Sequence, residues 1–184
     1  MFNCKELKKV LCLLKVFSGK DPRYRIRLGS WEDFKKIPVS SRENLKKFLN
    51  NNAINGAFNI GSTSGSTGSR MLFAHSEEAF KVHERRLVKL YRQIGIKKGM
   101  LCLNLCSYEL NSGGRLMERG FKAAGAGVIP LGPISTREKI LEAVQLIRQL
   151  KPAVINTYTN QLYDLFEVLG RKHSIRKCLV TGEV

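Results

Sequence analysis

The spacing of apolar residues changes near residue 58, and the change predicts two kinds of structure. Before it, apolar positions recur at helical intervals among turn signals, with little strand character. In "SWEDFKKIPVSSRENLKKFLNN" (30–51) Ser30 is placed to cap a short helix. Asp33, at the third position, faces the free N–H groups of the first turn. Pro38 breaks that helix. Ser40 or Ser41 then opens a second one with Leu45, Phe48 and Leu49 on one face. Near the start, "KKVLCLLKVF" reads as an amphipathic helix rather than a leader, because Lys15 interrupts the apolar stretch and no small-residue cleavage site follows.

From residue 58 onward, apolar β-branched runs alternate with amphipathic helices. "MLFAH" (71–75) reads as a strand. Ser76, Glu77 and Glu78 open a long helix whose apolar face carries Phe80, Leu87, Tyr91 and Ile94, and Gly95 stops it. Lys81, Arg85, Lys89 and Arg92 fall on the other face. "MLCLNL" (100–105) is the next strand, followed by a helix over 114–124. "GVIPL" (127–131) is a third, and "STRE" (135–138) is a capping box for a helix over 137–150 that Pro152 ends. "AVINTY" (153–158), a helix over 160–169 and "KCLVTG" (177–182) complete the series. Strand–helix–strand repetition with short connections predicts an α/β fold of parallel strands joined by right-handed crossovers. Strands apolar nearly throughout predict helices on both faces of the sheet. Ligands of such sheets bind beyond the carboxyl ends of the strands. The fifth strand runs into "TGEV" with no neighbour or cover following it, so the chain is expected to be the N-terminal piece of a larger domain.

One stretch does not fit the alternation. "GSTSGSTGSR" (61–70) is almost entirely Gly, Ser and Thr. Such a tract makes a flexible linker. It equally makes a cradle for phosphate oxygens, because closely spaced glycines expose successive backbone N–H groups and the hydroxyls add donors. Its place between "FNI" and "MLFAH" suits a hairpin-like loop better than a tether. It is neither a Walker loop nor a dinucleotide fingerprint: no Lys follows Gly68, and G-x-G-x-x-G is absent.

Composition narrows the partners. Apolar residues make up 43% and charged residues 26%, the balance of a globular chain rather than a disordered one. The 32 Lys and Arg against 15 Asp and Glu leave a net charge of +17, which points to an anionic partner or a solvated basic surface. The five cysteines form no C-x-x-C pair and the three histidines lie apart from them, so no metal site is expected. Reduced, mostly buried thiols in a cytoplasmic protein are the expectation. No apolar run approaches the roughly 20 residues of a spanning helix, so no membrane partner is expected.

The segment "TSGSTGSR" (63–70) resembles the phosphate-binding signature of adenylate-forming (AMP-binding) enzymes, T-S-G-[ST]-T-G-x-P-K. Further segments are similar to the phenylacetate–coenzyme A ligase-like branch, in the same order: "WEDFKKIPVSSRENLKK" (31–47), "SGG" (112–114), "GAGVIPLG" (125–132), "LKPAVINTYTNQLYDLFE" (150–167) and "LVTGEV" (179–184). The resemblance implies a helical N-terminal segment over 1–57 and an α/β nucleotide-binding subdomain over 58–184, part of such an enzyme's large N-terminal domain. It implies activation of a small-molecule carboxylic acid by ATP with Mg²⁺, then transfer of the acyl group to a thiol such as coenzyme A. Thr63, Ser64, Gly65, Ser66, Thr67 and Gly68 would contact the β- and γ-phosphates, and Gly182 and Glu183 would begin the adenine-side loop. Tyr108 to Gly114 would lie near the acid pocket. No catalytic residue is assigned. Arg70 and Met71 stand where the signature has Pro and Lys. Two other readings remain: a truncated or degenerate homologue that binds nucleotide without catalysis, and a basic nucleic-acid-binding module. The last has no helix-turn-helix, zinc or RNP-like motif behind it.

Overall fold

The computed structural model describes residues 31–39, 41, 43, 57–63, 70–110 and 113–182. Contacts divide the chain into two compact units, 1–47 and 48–184. In the first, α1 (Trp31–Lys35) is a short helix with Glu32 and Asp33 in its first turn. The expected cap at Ser30, the helix carrying Leu45, Phe48 and Leu49, and the N-terminal amphipathic helix lie outside the described residues.

In the second unit a two-stranded sheet and a four-stranded sheet follow in turn. β1 (Asn59–Ser62) and β2 (Leu72–His75) pair antiparallel, Ser62 opposite Leu72. α2 (Glu77–Gln93) leads to β3 (Leu101–Asn104), α3 (Gly113–Ala123) to β4 (Gly127–Pro130), α4 (Arg137–Leu150) to β5 (Val154–Tyr158), and α5 (Thr159–Leu169) to β6 (Lys177–Thr181). The order is β4-β3-β5-β6, all parallel. The α/β expectation therefore holds, with one difference. The strand at 72–75 does not join the parallel sheet: it pairs antiparallel with β1, as the hairpin-like loop expected over 61–70 implies, because a parallel partner needs a crossover of a dozen or more residues.

Alternation along the central strands sends side chains into two cores. Leu103, Leu105 and Ile155 meet Ala143, Val144 and Ile147 of α4 and Leu165 and Leu169 of α5. Cys102 and Val154 point the other way, toward Tyr91 of α2 and Phe121 of α3. Those two rings stack 4.2 Å apart, 6° from parallel. Gly120 lets the helices come this close, since a Cβ there would lie 2.8 Å from Leu87 Cβ.

The helix ends follow local chemistry. Ser76 Oγ accepts from Ala79 N–H and caps α2. At α4 the cap is Thr136, one residue later than the Ser135 expected, and its Oγ1 accepts from Lys139 N–H. Ile94 is the C-cap of α2 and 38% exposed rather than part of the apolar face. α4 ends at Lys151, whose φ of 49° is left-handed, and Pro152 follows.

Candidate functional site

The carboxyl ends of β3 and β5 carry polar side chains inside otherwise apolar strands. Asn104 and Asn156 are paired residues of these neighbours. Both are buried, at 0% and 1% exposure. Uncompensated amides there would cost stability, so their bonds can be followed one by one. Asn156 Nδ2 donates to Asn104 Oδ1 at 2.8 Å and to Cys106 Sγ at 3.2 Å. Asn104 Nδ2 donates to Tyr108 Oη at 2.6 Å and to the Gly114 carbonyl at 3.0 Å. Asn104 Oδ1 also accepts from Cys106 N–H at 3.3 Å. The pair thereby fixes both ends of the segment leading from β3 to α3. Gly114 completes the corner: its N–H donates to Ser107 O at 2.8 Å, and a Cβ would lie 2.5 Å from that oxygen.

The hairpin docks on the same segment. Ser62 N–H donates to Leu110 O at 2.8 Å. Gly61 permits the approach, since a Cβ there would lie 3.2 Å from Leu110 O and 2.4 Å from the Phe73 ring. Thr63 then closes the base of the glycine-rich loop from both sides. Its N–H donates to Met71 O at 3.0 Å and its Oγ1 accepts from Met71 N–H at 3.1 Å. The Thr63 hydroxyl keeps its own proton to donate. Arg70 is exposed beside it.

On the other side, Ser107 N–H donates to Tyr158 Oη at 3.3 Å. Thr159 Oγ1, just beyond β5, is buried without a hydrogen-bond partner among the described residues. It lies 3.8 Å from where a Cβ would stand on Gly182, whose φ is 129°. The ends of β3, β5 and β6 and the hairpin thus form one row, each joined to the next by these contacts. Burial raises the pKa of Tyr108, with Glu118 adding to it. Burial likewise raises Tyr158 and the Cys106 thiol. These two phenols and the thiol are therefore uncharged at neutral pH.

Of the residues predicted for phosphate and adenine, Thr63 and Gly182 are described and stand on this row. Ser64, Gly65, Ser66, Thr67, Gly68 and Glu183 lie outside the described residues. Sequence reasoning missed Asn104, Asn156 and Thr159. A lone Asn at the same depth in two strands, "LCLNL" and "AVINT", was the available signal. No group of three His, Cys, Asp or Glu side chains placed to hold a metal occurs among the described residues.

No family model matches the chain. It is 23% identical over 160 residues to a phenylacetate-coenzyme A ligase of Thermus thermophilus, a match covering 83% of this chain and 34% of the relative. Among solved structures it is similar to an open conformation of 2-hydroxyisobutyryl-CoA ligase in complex with 2-HIB-AMP and CoA. The TM-score is 0.71 at 21% identity, over 91% of this chain and 44% of that one. The same ligase in its thioesterification state gives a TM-score of 0.71 over 91% of this chain and 40% of that one. The chain therefore resembles adenylate-forming acid–CoA ligases in sequence and shares their fold. It spans about a third of the curated relative and less than half of the solved ones.

Proposed function

We propose that this chain carries the phosphate-gripping and acid-framing part of an ATP-dependent acid–thiol ligase. The observation that carries the reading is the bond from Ser62 N–H to Leu110 O, 2.8 Å long. It sets the base of the glycine-rich loop against the segment that leaves β3, at the end of the sheet where ligands of parallel folds bind. On this reading 58–184 is the nucleotide-binding subdomain and 1–57 a helical lead-in. Backbone N–H groups and hydroxyls from Thr63 to Gly68 hold the β- and γ-phosphates of ATP. Gly182 and Glu183 begin the adenine side, and the segment held by Asn104 and Asn156 frames the acid.

The reaction is an acyl activation. A carboxylate oxygen attacks the α-phosphorus, the bond to the bridging oxygen breaks and pyrophosphate leaves. The sulfur of a thiol such as coenzyme A then attacks the acyl carbon, and AMP departs with the electrons of the broken C–O bond. The contribution of the described residues is positioning and exclusion of water. Mg²⁺ would neutralise phosphate charge. Free Cys102, Cys106 and Cys178 suit a reducing compartment, so a cytoplasmic location belongs to the same proposal.

The test is acid-dependent exchange of radiolabelled pyrophosphate into ATP by the full-length gene product, over a panel of small carboxylic acids. Ser66→Ala combined with Thr67→Ala is expected to lower exchange at least about tenfold, the loss of one or two phosphate donors. Exchange unchanged by that pair would remove the loop from the reaction. ATP binding without exchange for any acid would favour the reading as a nucleotide binder without catalysis, which Met71 in place of the signature lysine already supports.

A further inference from the structure

The opposite end of the parallel sheet, where the strands begin, has a different chemistry. Four connections enter β3, β4, β5 and β6: residues 94–100, 124–126, 151–153 and 170–176. They contain six Lys or Arg (Lys97, Lys98, Lys151, Arg171, Lys172 and Arg176) and no Asp or Glu. All six are exposed. In the strand order β4-β3-β5-β6 these connections lie side by side. Contacts tie them into one surface. Gly99 N–H donates to Gly125 O at 3.0 Å, Ser174 Oγ donates to Pro152 O at 2.7 Å, and Arg176 N–H donates to Ala153 O at 2.9 Å. Lys177 Nζ lies 3.2 Å from where a Cβ would stand on Gly95. A concavity of about 370 Å³ on this surface is lined by Arg148, Lys151, Lys172 and His173. Exposed aliphatic side chains stand among the cations: Ile94 at the end of α2 and Leu150 at the end of α4, 38% and 43% exposed.

We infer that this face is a docking surface for an anionic lipid bilayer. Clustered Lys and Arg without intervening acids are attracted to a negative headgroup layer, and aliphatic side chains between them can enter its boundary with the acyl chains. Nucleic acid fits less well. The four connections hold no Phe, Tyr or Trp on which a base could stack, and a phosphate backbone gives Ile94 and Leu150 nothing to bury against. No helix among the described residues is long and apolar enough to cross a membrane, so the contact is peripheral. Docking by this face leaves the carboxyl ends of the strands, at the far end of the sheet, open to water.

The full chain is tested by co-sedimentation with vesicles of phosphatidylcholine alone or phosphatidylcholine with phosphatidylserine, over a series of salt concentrations. Binding is expected to be at least about tenfold tighter to the anionic vesicles and to weaken with salt. Neutralising Lys97, Lys98, Lys151, Arg171 and Lys172 to Gln should reduce it at least about tenfold. A control with the same loss of charge elsewhere (Arg85, Arg86, Lys89, Arg137 and Lys139 to Gln) should retain most of the binding. Ile94→Ser with Leu150→Ser should weaken binding while leaving its salt dependence unchanged. Equal loss in the two charge variants, no preference for anionic vesicles, or tighter binding to an RNA or DNA duplex at the same ionic strength would each overturn the inference.

Discussion

The two ends of the parallel sheet are built from the same strands and helices, yet they manage polarity in opposite ways. Where the strands finish, polar groups are buried or half-buried, uncharged and joined to one another: Asn104, Asn156, Tyr108 and Tyr158 all take part in bonds that shape the exit from β3. Where the strands begin, the charged side chains are exposed cations. The first arrangement stores energy in geometry, because a buried amide is costly unless each partner is in place. The second stores almost none, because exposed charges are screened. A substitution should therefore be felt in the fold at one end and in association at the other.

The same change at the two ends gives the sharpest contrast. Gly114→Ala would press a Cβ against the Ser107 and Cys106 carbonyls, at 2.5 and 2.7 Å. It should cost about 3 kcal/mol by urea denaturation. Gly99→Ala has open space and only the strain of a φ of 83°, so about 1 kcal/mol is expected. Equal costs would break the comparison. Next, Asn104→Leu leaves the Gly114 carbonyl and the Asn156 amide short of partners and should cost about 2 kcal/mol. Replacing Asn104 and Asn156 together should cost less than the sum of the two single changes; simple additivity would show that the pair does not act as a unit. Thr63→Val should cost about 1 kcal/mol, with faster exchange of the Met71 amide as its specific mark.

The hairpin adds a pH term. His75 lies edge-on to Phe73 and Phe80, and burial, with the nearby His83 adding to it, lowers its pKa. A histidine depressed in the folded state is protonated more readily in the unfolded one. Stability is then unaffected well above the ordinary histidine pKa of about 6.5 and falls as pH drops through it toward the lowered value. Thermal melts at successive pH values should show the fall, and His75→Phe should flatten it. The smallest effect belongs to the basic end. Neutralising Lys97, Lys98, Lys151, Arg171 and Lys172 should move stability by no more than about 0.5 kcal/mol, with any gain vanishing in high salt.

The order of elements from β2 to β6 was legible in the sequence because each strand is short, apolar and flanked by a cap or a glycine. Thr159 to Leu169 and Arg137 to Leu150 fall within a residue of their expected bounds. Pairing was less legible. Nothing in "LFAH" distinguishes a hairpin strand from a parallel one; the length of the connection before it does. Ile94 fits the apolar helical spacing yet stands at the end of its helix, where the sheet no longer covers it. At the site, Thr63 and Gly182 were reached through resemblance. The asparagine pair was not found because its meaning lies in register, Asn104 opposite Asn156, which no spacing along one strand records.

The closure of the glycine-rich loop also bears on when the site can exist. Thr63 and Met71 are 8 residues apart, whereas Asn104 and Asn156 are 52 apart. Closing the first contact loses little chain entropy and can happen early; the second waits for the intervening helices and β4 to be in place. On a growing chain the closure between Thr63 and Met71 is a local property, available once β2 has emerged. The shape of the segment that leaves β3 is a property of the finished sheet. The two halves of the site thus differ in folding time, and the bond from Ser62 to Leu110 is where the early half meets the late one.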